Sequence, residues 1–103
     1  MTTIVETLVY GDFVAPAGTV VNHVTVTFTG TVAANTTSVT VGAGITTATS
    51  PTLNPDTYTV TAQAFTVTGT EVGPVATDPV AQIVPVPATV TVSIPVSISG
   101  GLV

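Results

Sequence analysis

The sequence predicts an all-β protein, a single antiparallel two-sheet sandwich of seven or eight strands, and three observations lead to that fold class. Thr and Val make up roughly two-fifths of the chain, and both are β-branched residues that favour strands over helices. Apolar and polar residues alternate with a period of two through most of the sequence, which places successive side chains on opposite faces of a sheet. Turn residues separate these short runs, as in all-β sandwiches. The length of 103 residues fits one domain, 1–103.

The first alternating runs supply the expected core positions. These positions are Val24, Val26, Phe28, Val32, Val39, Val41 and Ile45. His23 and the intervening threonines are expected to face solvent. Gly42 and Gly44 interrupt the second run, so a bulge or a close backbone approach is predicted there.

Two turns are predicted between the later strands. In Asn54-Pro55-Asp56, the fixed φ of Pro55 suits the second position of a turn, and the Asn side chain can bond its own backbone. In Thr68-Gly69-Thr70-Glu71, Gly69 can adopt the positive φ that hairpin connections require. A strand is expected between these two turns.

The C-terminal segment 89–103 contains the longest alternating run. Its apolar positions are Val90, Val92, Ile94, Val96 and Ile98. Four prolines lie in it or just before it: Pro79, Pro85, Pro87 and Pro95. Proline is confined to edges, strand starts and bulges, because it cannot donate to a ladder. Either these prolines protect a sheet edge against unwanted pairing, or the segment is an extended edge strand that pairs with a partner chain through its apolar residues.

Residues 53–74, LNPDTYTVTAQAFTVTGTEVGP, resemble the strand E to strand G region of immunoglobulin-like and fibronectin type III-like modules. In that fold a Tyr opens strand F, two residues before the disulfide cysteine, and its hydroxyl bonds an upstream backbone group. The resemblance implies that Tyr58 is this corner tyrosine and that Val60 takes the cysteine position. Because the chain has no Cys, it implies an Ig-like or fibronectin III-like sandwich without a disulfide.

Phe65 and Val67 do not fit the inward alternation that runs from Tyr58 through Val60. Continuing that alternation through Ala62 and Ala64 leaves both residues on the opposite face. Either a bulge returns them to the core, or they form an exposed apolar spot for a partner.

The charge balance excludes several classes of function. The chain has no Lys and no Arg, and its net charge is −5. Nucleic-acid binding rests on cationic side chains that release counterions from phosphates, and binding to anionic membranes needs the same residues. The absence of Cys removes thiolate chemistry and Cys-ligated zinc. No partner among nucleic acids or membranes is expected.

An enzyme is not expected either, because the residues that catalysis needs are scarce. The one histidine, His23, is predicted to face outward on a strand, and no Gly-x-Ser-x-Gly nucleophile elbow occurs. The acidic residues are scattered along the chain: Glu6, Asp12, Asp56, Glu71 and Asp78. All but Glu6 fall at predicted turns and are interpreted as solvated charges. No metal ion or cofactor is expected.

The hydroxyl-rich, Lys- and Arg-free surface offers trypsin no ordinary cleavage site and suits an extracellular protein, whereas the start at Met1 shows no export signal. Phage virion proteins reconcile the two, because they are made in the host cytoplasm and then exposed on the particle, and Ig-like modules decorate their heads and tails. We therefore expect a non-enzymatic structural protein on the virion exterior, a capsid decoration or cement protein or a tail accessory module. Its partner would be the major capsid or tail protein, and a homo-oligomer is expected on the particle.

Two alternatives remain open at this stage. The chain could be an Ig-like binding domain of a bacterial surface adhesin, located at the cell surface and binding through loops at one pole. It could also be a filament subunit assembled by strand exchange through 89–103.

Overall fold

A computed structural model describes residues 3–9, 20–78, 81–83, 88–93 and 101–102. Within these residues the chain is mostly strand, with a single 3₁₀ turn at Ala33–Asn35 and no α-helix, so the prediction of an all-β chain is confirmed. The strands are β1 (Ile4–Val9), β2 (Val20–Val21), β3 (His23–Gly30), β4 (Thr37–Gly42), β5 (Thr47–Thr49), β6 (Thr57–Phe65), β7 (Glu71–Thr77), β8 (Gln82–Ile83), β9 (Ala88–Ser93) and β10 (Gly101–Leu102). The described residues thus form ten strands against the seven or eight expected, but β2, β8 and β10 have only two residues each.

The larger sheet is antiparallel and has the strand order β4-β3-β6-β7, with β8 pairing with part of β6. At one end of the β3–β6 ladder His23 lies opposite Phe65, and at the other end Gly30 lies opposite Tyr58. This ladder is the longest in the described part of the chain because β3 and β6 are its longest strands. The two ends of this ladder mark the two ends of the sheet, and the connecting loops lie at these ends.

The smaller sheet has the order β5-β1-β9, and it corrects the expectation of a wholly antiparallel fold. β1 is antiparallel to β5 but parallel to β9, and β10 is parallel to β2 in a separate two-stranded pair. Parallel neighbours need a long connection that returns the chain to the same end. β1 and β9 lie near opposite ends of the sequence, so the chain between them meets that requirement.

The C-terminal segment pairs within its own chain over the residues that the structure describes. The backbone of β9 places Val90 opposite Glu6 and Val92 opposite Leu8. The described part of this strand is Ala88–Ser93. Ile94, Val96 and Ile98, and the prolines expected to protect this edge, lie outside the described residues.

The buried apolar side chains of both sheets form one cluster. It contains Ile4, Leu8, Val21, Val24, Val26, Phe28, Ala48, Leu53, Tyr58, Val60, Ala62, Ala64, Val72 and Ala76. The inward positions predicted on β3 at Val24, Val26 and Phe28 are confirmed. Val39 and Val41 of the edge strand β4 are partly buried against this cluster.

Two of the expected core positions are wrong. Val32 and Ile45 are 55% and 50% exposed. β3 ends at Gly30, before Val32, and β4 ends at Gly42, where a turn with Gly44 at φ +84° follows. Once the strand ends, the period of two no longer sets the direction of a side chain.

The outer face of the larger sheet carries hydroxyl groups that pair across strands. The hydroxyls of Thr25 and Thr40 lie 3.3 Å apart, and those of Thr27 and Ser38 lie 3.0 Å apart. Cross-strand Thr–Thr and Thr–Ser pairs of this kind add modestly to sheet stability. These exposed hydroxyls also allow the outer face, which has few charges, to hydrogen-bond with water. No helix in the described residues is long and apolar enough to cross a membrane.

Candidate functional site

The turn before β6 is closed by Tyr58. Its ring is fully buried in the core, and its hydroxyl donates a hydrogen bond of 2.7 Å to the main-chain carbonyl oxygen of Asn54. Pro55 lies in the bend between these residues, and Val60 is buried two positions further along the strand. The structure therefore gives Tyr58 a backbone partner upstream and leaves Val60 packed with apolar neighbours.

Asp56 joins this turn to the loop after β3. Its carboxylate accepts hydrogen bonds from the Thr31 hydroxyl, the Val32 amide, the Asn35 side-chain amide and the Thr57 amide. These bonds, the one from Thr31 first, hold the pKa of Asp56 well below its usual range because they favour the charged form. The residue interpreted as a solvated turn charge is thus also a clamp between two loops. We call this polar end of the molecule the Asp56 end.

Phe65 lies at the opposite end, on the outer face. Its ring stacks on the ring of His23, with the centroids 5.3 Å apart and the planes at 15°. His23 Nδ1 also lies 3.0 Å from the Asn22 side-chain oxygen. The β6–β7 pairing does shift register between Ala62 and Ala64, but this irregularity does not return Phe65 to the core.

Val67 is the most exposed of the large apolar side chains in the described residues, at 76%. It lies in the hairpin between β6 and β7, which Gly69 makes possible with φ +88°. The Gly69 amide donates to the Thr66 carbonyl at 3.0 Å. A tight hairpin of this kind leaves its second residue no neighbour to pack against, which explains the exposure.

Two further exposed apolar residues lie at the same end. Val20 and Ile45 are each 50% exposed. Backbone hydrogen bonds hold their loops here, from the Asn22 amide to the Phe65 carbonyl and from the Ala43 amide to the Asn22 carbonyl. We call this set the apolar end: Val20, His23, Ile45, Phe65 and Val67.

Two acidic side chains, those of Glu6 and Asp78, are buried in the core. Glu6 is fully buried on the inward face of β1, between Ile4 and Leu8, and Asp78 after β7 is 5% exposed. The interpretation of Asp78 as a solvated turn charge is therefore wrong, because its backbone amide donates to Val60 and draws the residue into the sandwich. The alternation of β1 could have identified Glu6, since it stands two residues from each apolar neighbour.

Burial strongly perturbs the Glu6 carboxyl group. Desolvation, followed by the charge of Asp78 and a hydrogen bond with Asp78, raises the pKa of Glu6 to about 8. Neither carboxylate oxygen of Glu6 has a hydrogen-bond donor among the described residues. The two observations agree if a proton lies between the carboxyl groups, because two ionised carboxylates have no donor to share.

The apolar end, the Asp56 end and the two buried acids are the main polar and aromatic features of the described residues. In the described ranges, no three His, Cys, Asp or Glu side chains are grouped so as to hold a metal ion. Comparisons with protein families, with curated proteins and with solved structures find no match.

Proposed function

We propose that this protein is a non-enzymatic structural module that docks on a larger protein assembly through its apolar end. The observation that carries the proposal is the stacked His23–Phe65 pair with Val67 exposed beside it. Aromatic side chains are enriched in interface centres, and exposed apolar groups rimmed by polar residues mark interaction sites. Thr25 of β3, Gln63 of β6 and the side chain of Asn22 supply such a rim.

The partner surface should be apolar at its centre and basic at its rim. The chain carries five acidic residues and no Lys or Arg, and Glu71 lies opposite Phe65 in the sheet register at the apolar end. Complementary charge steers association and excludes wrong partners. An acidic, Lys- and Arg-free module therefore favours a protein partner that supplies the cations.

The exterior of a phage virion is the setting that we propose for this docking. The surface displays hydroxyls in place of cations, which suits the outside of a particle better than a face that contacts DNA. On this proposal the protein is a head decoration or cement protein or a tail accessory module, bound to the major capsid or tail protein and repeated with the symmetry of the particle.

The finer fold that we propose is a sandwich of the immunoglobulin or fibronectin III kind. The bond from Tyr58 to Asn54 and the antiparallel order β4-β3-β6-β7 support it. The parallel pairing of β1 with β9 departs from a wholly antiparallel pattern.

Co-sedimentation tests the docking. The purified chain is mixed with particles assembled from the capsid and tail proteins encoded beside its gene, and bound protein is measured as a function of concentration. Saturable binding in defined stoichiometry is expected. Val67→Ser and Phe65→Ser should each weaken binding by about tenfold or more, as truncation of an interface anchor does.

Val32→Ser is the matched control, because Val32 is an exposed valine at the Asp56 end. Its binding should equal that of the unmodified chain. The proposal fails if the unmodified chain does not bind any of these particles, or if Val32→Ser loses as much binding as Val67→Ser.

A further inference from the structure

The most unusual feature of the molecule outside the apolar end is an acid in the middle of its core. Glu6 is fully buried between Ile4 and Leu8 on β1. Ser50 is also buried, but its hydroxyl makes two hydrogen bonds: it accepts one from the Ile4 amide and donates one to the Pro51 carbonyl. The carboxylate of Glu6 has no such donor among the described residues.

Among the described residues, Asp78 is the titratable group that acts on Glu6. The strands on either side of β1, β5 and β9, contain no titratable residue. Asp78, itself buried, follows β7 of the other sheet, and its charge and hydrogen bonding act on Glu6. The remaining titratable residues of the described part are placed elsewhere: His23 and Glu71 at the apolar end, Asp56 at the opposite end, and Tyr58 with its hydroxyl bonded to Asn54.

A shared proton is the simplest way to neutralise this pair. No Lys or Arg side chain exists in the chain to supply a counter-charge, and an unpaired buried charge is very costly. When Glu6 is protonated, its hydroxyl can donate to the carboxylate of Asp78, which leaves one negative charge and one hydrogen bond in place of two negative charges. Two carboxyls that share a site behave in this way.

We infer that Glu6 and Asp78 form a clasp between the two sheets that is held by one shared proton, so that the protein is a pH-responsive module that loosens as the solution becomes alkaline. Loss of that proton to solvent leaves two carboxylates in a dry core, and the cost of these two buried charges opens the clasp. The inference does not depend on the docking partner.

The sign of the effect follows from the protons bound in each state. The pKa of Glu6 is about 8 in the folded protein, against an ordinary value of 4.5. Between these values the folded state holds a proton that the unfolded state has lost, so stability must fall as pH rises across that window. Below it the contribution is fully present, and above pH 8 it is lost.

Urea unfolding of the full chain, followed by circular dichroism at pH 5 to 9, tests the clasp. The ratio of folded to unfolded protein should fall by up to about tenfold per pH unit between pH 5 and 8 and then level off. Glu6→Gln should remove this dependence, because its amide is neutral and can still donate to Asp78. Glu71→Gln, at an exposed acid, should keep it.

Carbon-13 NMR of the Glu6 carboxyl in the unmodified chain gives a direct reading even if Glu6→Gln fails to fold. A midpoint near 8 supports the clasp. A midpoint near 4.5, or a Glu6→Gln variant with the same pH dependence as the parent, overturns it. Stabilisation by millimolar calcium at pH 8.5 that Glu6→Gln lacks would also overturn it, in favour of a bound cation.

Discussion

The hydroxyl of Tyr58 donates a 2.7 Å hydrogen bond to the carbonyl oxygen of Asn54, four residues upstream, while the tyrosine ring is fully buried in the core. One side chain thereby anchors the turn before β6 to the interior. Asp56, within the same turn, binds the loop after β3. The Asp56 end is thus joined by a network of hydrogen bonds, whereas the apolar end displays exposed apolar side chains, Val67 the most exposed of them.

Tyr58→Phe should lower the free energy of unfolding by about 1 kcal/mol. The substitution keeps the buried ring and removes only the hydroxyl, so the cost is that of one hydrogen bond and an unmet carbonyl. Urea denaturation at pH 6 measures it. An unchanged midpoint would show that the bond to Asn54 contributes nothing to the turn.

Asp56→Asn should flatten the acid limb of the stability curve. The folded pKa of Asp56 lies below its ordinary value of 3.8, so its contribution is present above that value and is lost as the pH falls through the folded pKa. The unmodified chain should therefore lose stability below about pH 4, and the variant should lose less. Thermal melts at pH 2 to 6 measure this difference, and parallel curves would contradict it.

The two acids together should place the stability maximum between about pH 4 and 5. Asp56 contributes only above its own titration, and the contribution of Glu6 declines from its ordinary value of 4.5 upward. This maximum would be more acidic than the usual range of pH 5 to 8. A maximum at neutral pH in the same thermal melts would contradict the combined account.

Gly30→Ala should destabilise the Asp56 end. A Cβ at position 30 would lie 2.6 Å from an Asp56 carboxylate oxygen and 3.2 Å from the Tyr58 ring, so the hydrogen-bonded loop must shift. Overpacking of this kind typically costs about 1–3 kcal/mol. Gly42→Ala is the matched control, because its Cβ would meet only Ile45, at 3.7 Å, and it should change stability by less than about 0.5 kcal/mol. Equal losses in both variants would contradict the account.

The fold class could be predicted from the alternation, because a sheet with one buried face needs apolar residues at every second position. Val24, Val26 and Phe28 were placed correctly on that ground. Val32 and Ile45 were not, because alternation does not tell where a strand ends. The parallel pairing of β9 with β1 was also out of reach, since a sequence pattern specifies which face is buried and not the direction of a neighbouring strand.

The candidate sites were only partly predictable. The departure of Phe65 and Val67 from the inward alternation was visible in the sequence; in the structure Phe65 is half-buried on the outer face and Val67 is exposed. The stacking of Phe65 on His23 depends on a pairing register that alternation leaves open. Asp78 was misplaced because a charged residue at a predicted turn is usually solvated, and only the tertiary structure brings it beside Glu6.

The fold depends on the valines of β3 pointing into a shared core while its threonines face solvent. The most direct test compares the free energies of unfolding of Val26→Asp and Thr27→Asp. Val26 is fully buried and Thr27 is paired with Ser38 on the outer face. We predict that Val26→Asp is unfolded at 25 °C, because it buries an unpaired charge, and that Thr27→Asp stays folded within about 0.5 kcal/mol of the parent. Equal stability of the two variants, or unfolding of Thr27→Asp alone, would contradict the account.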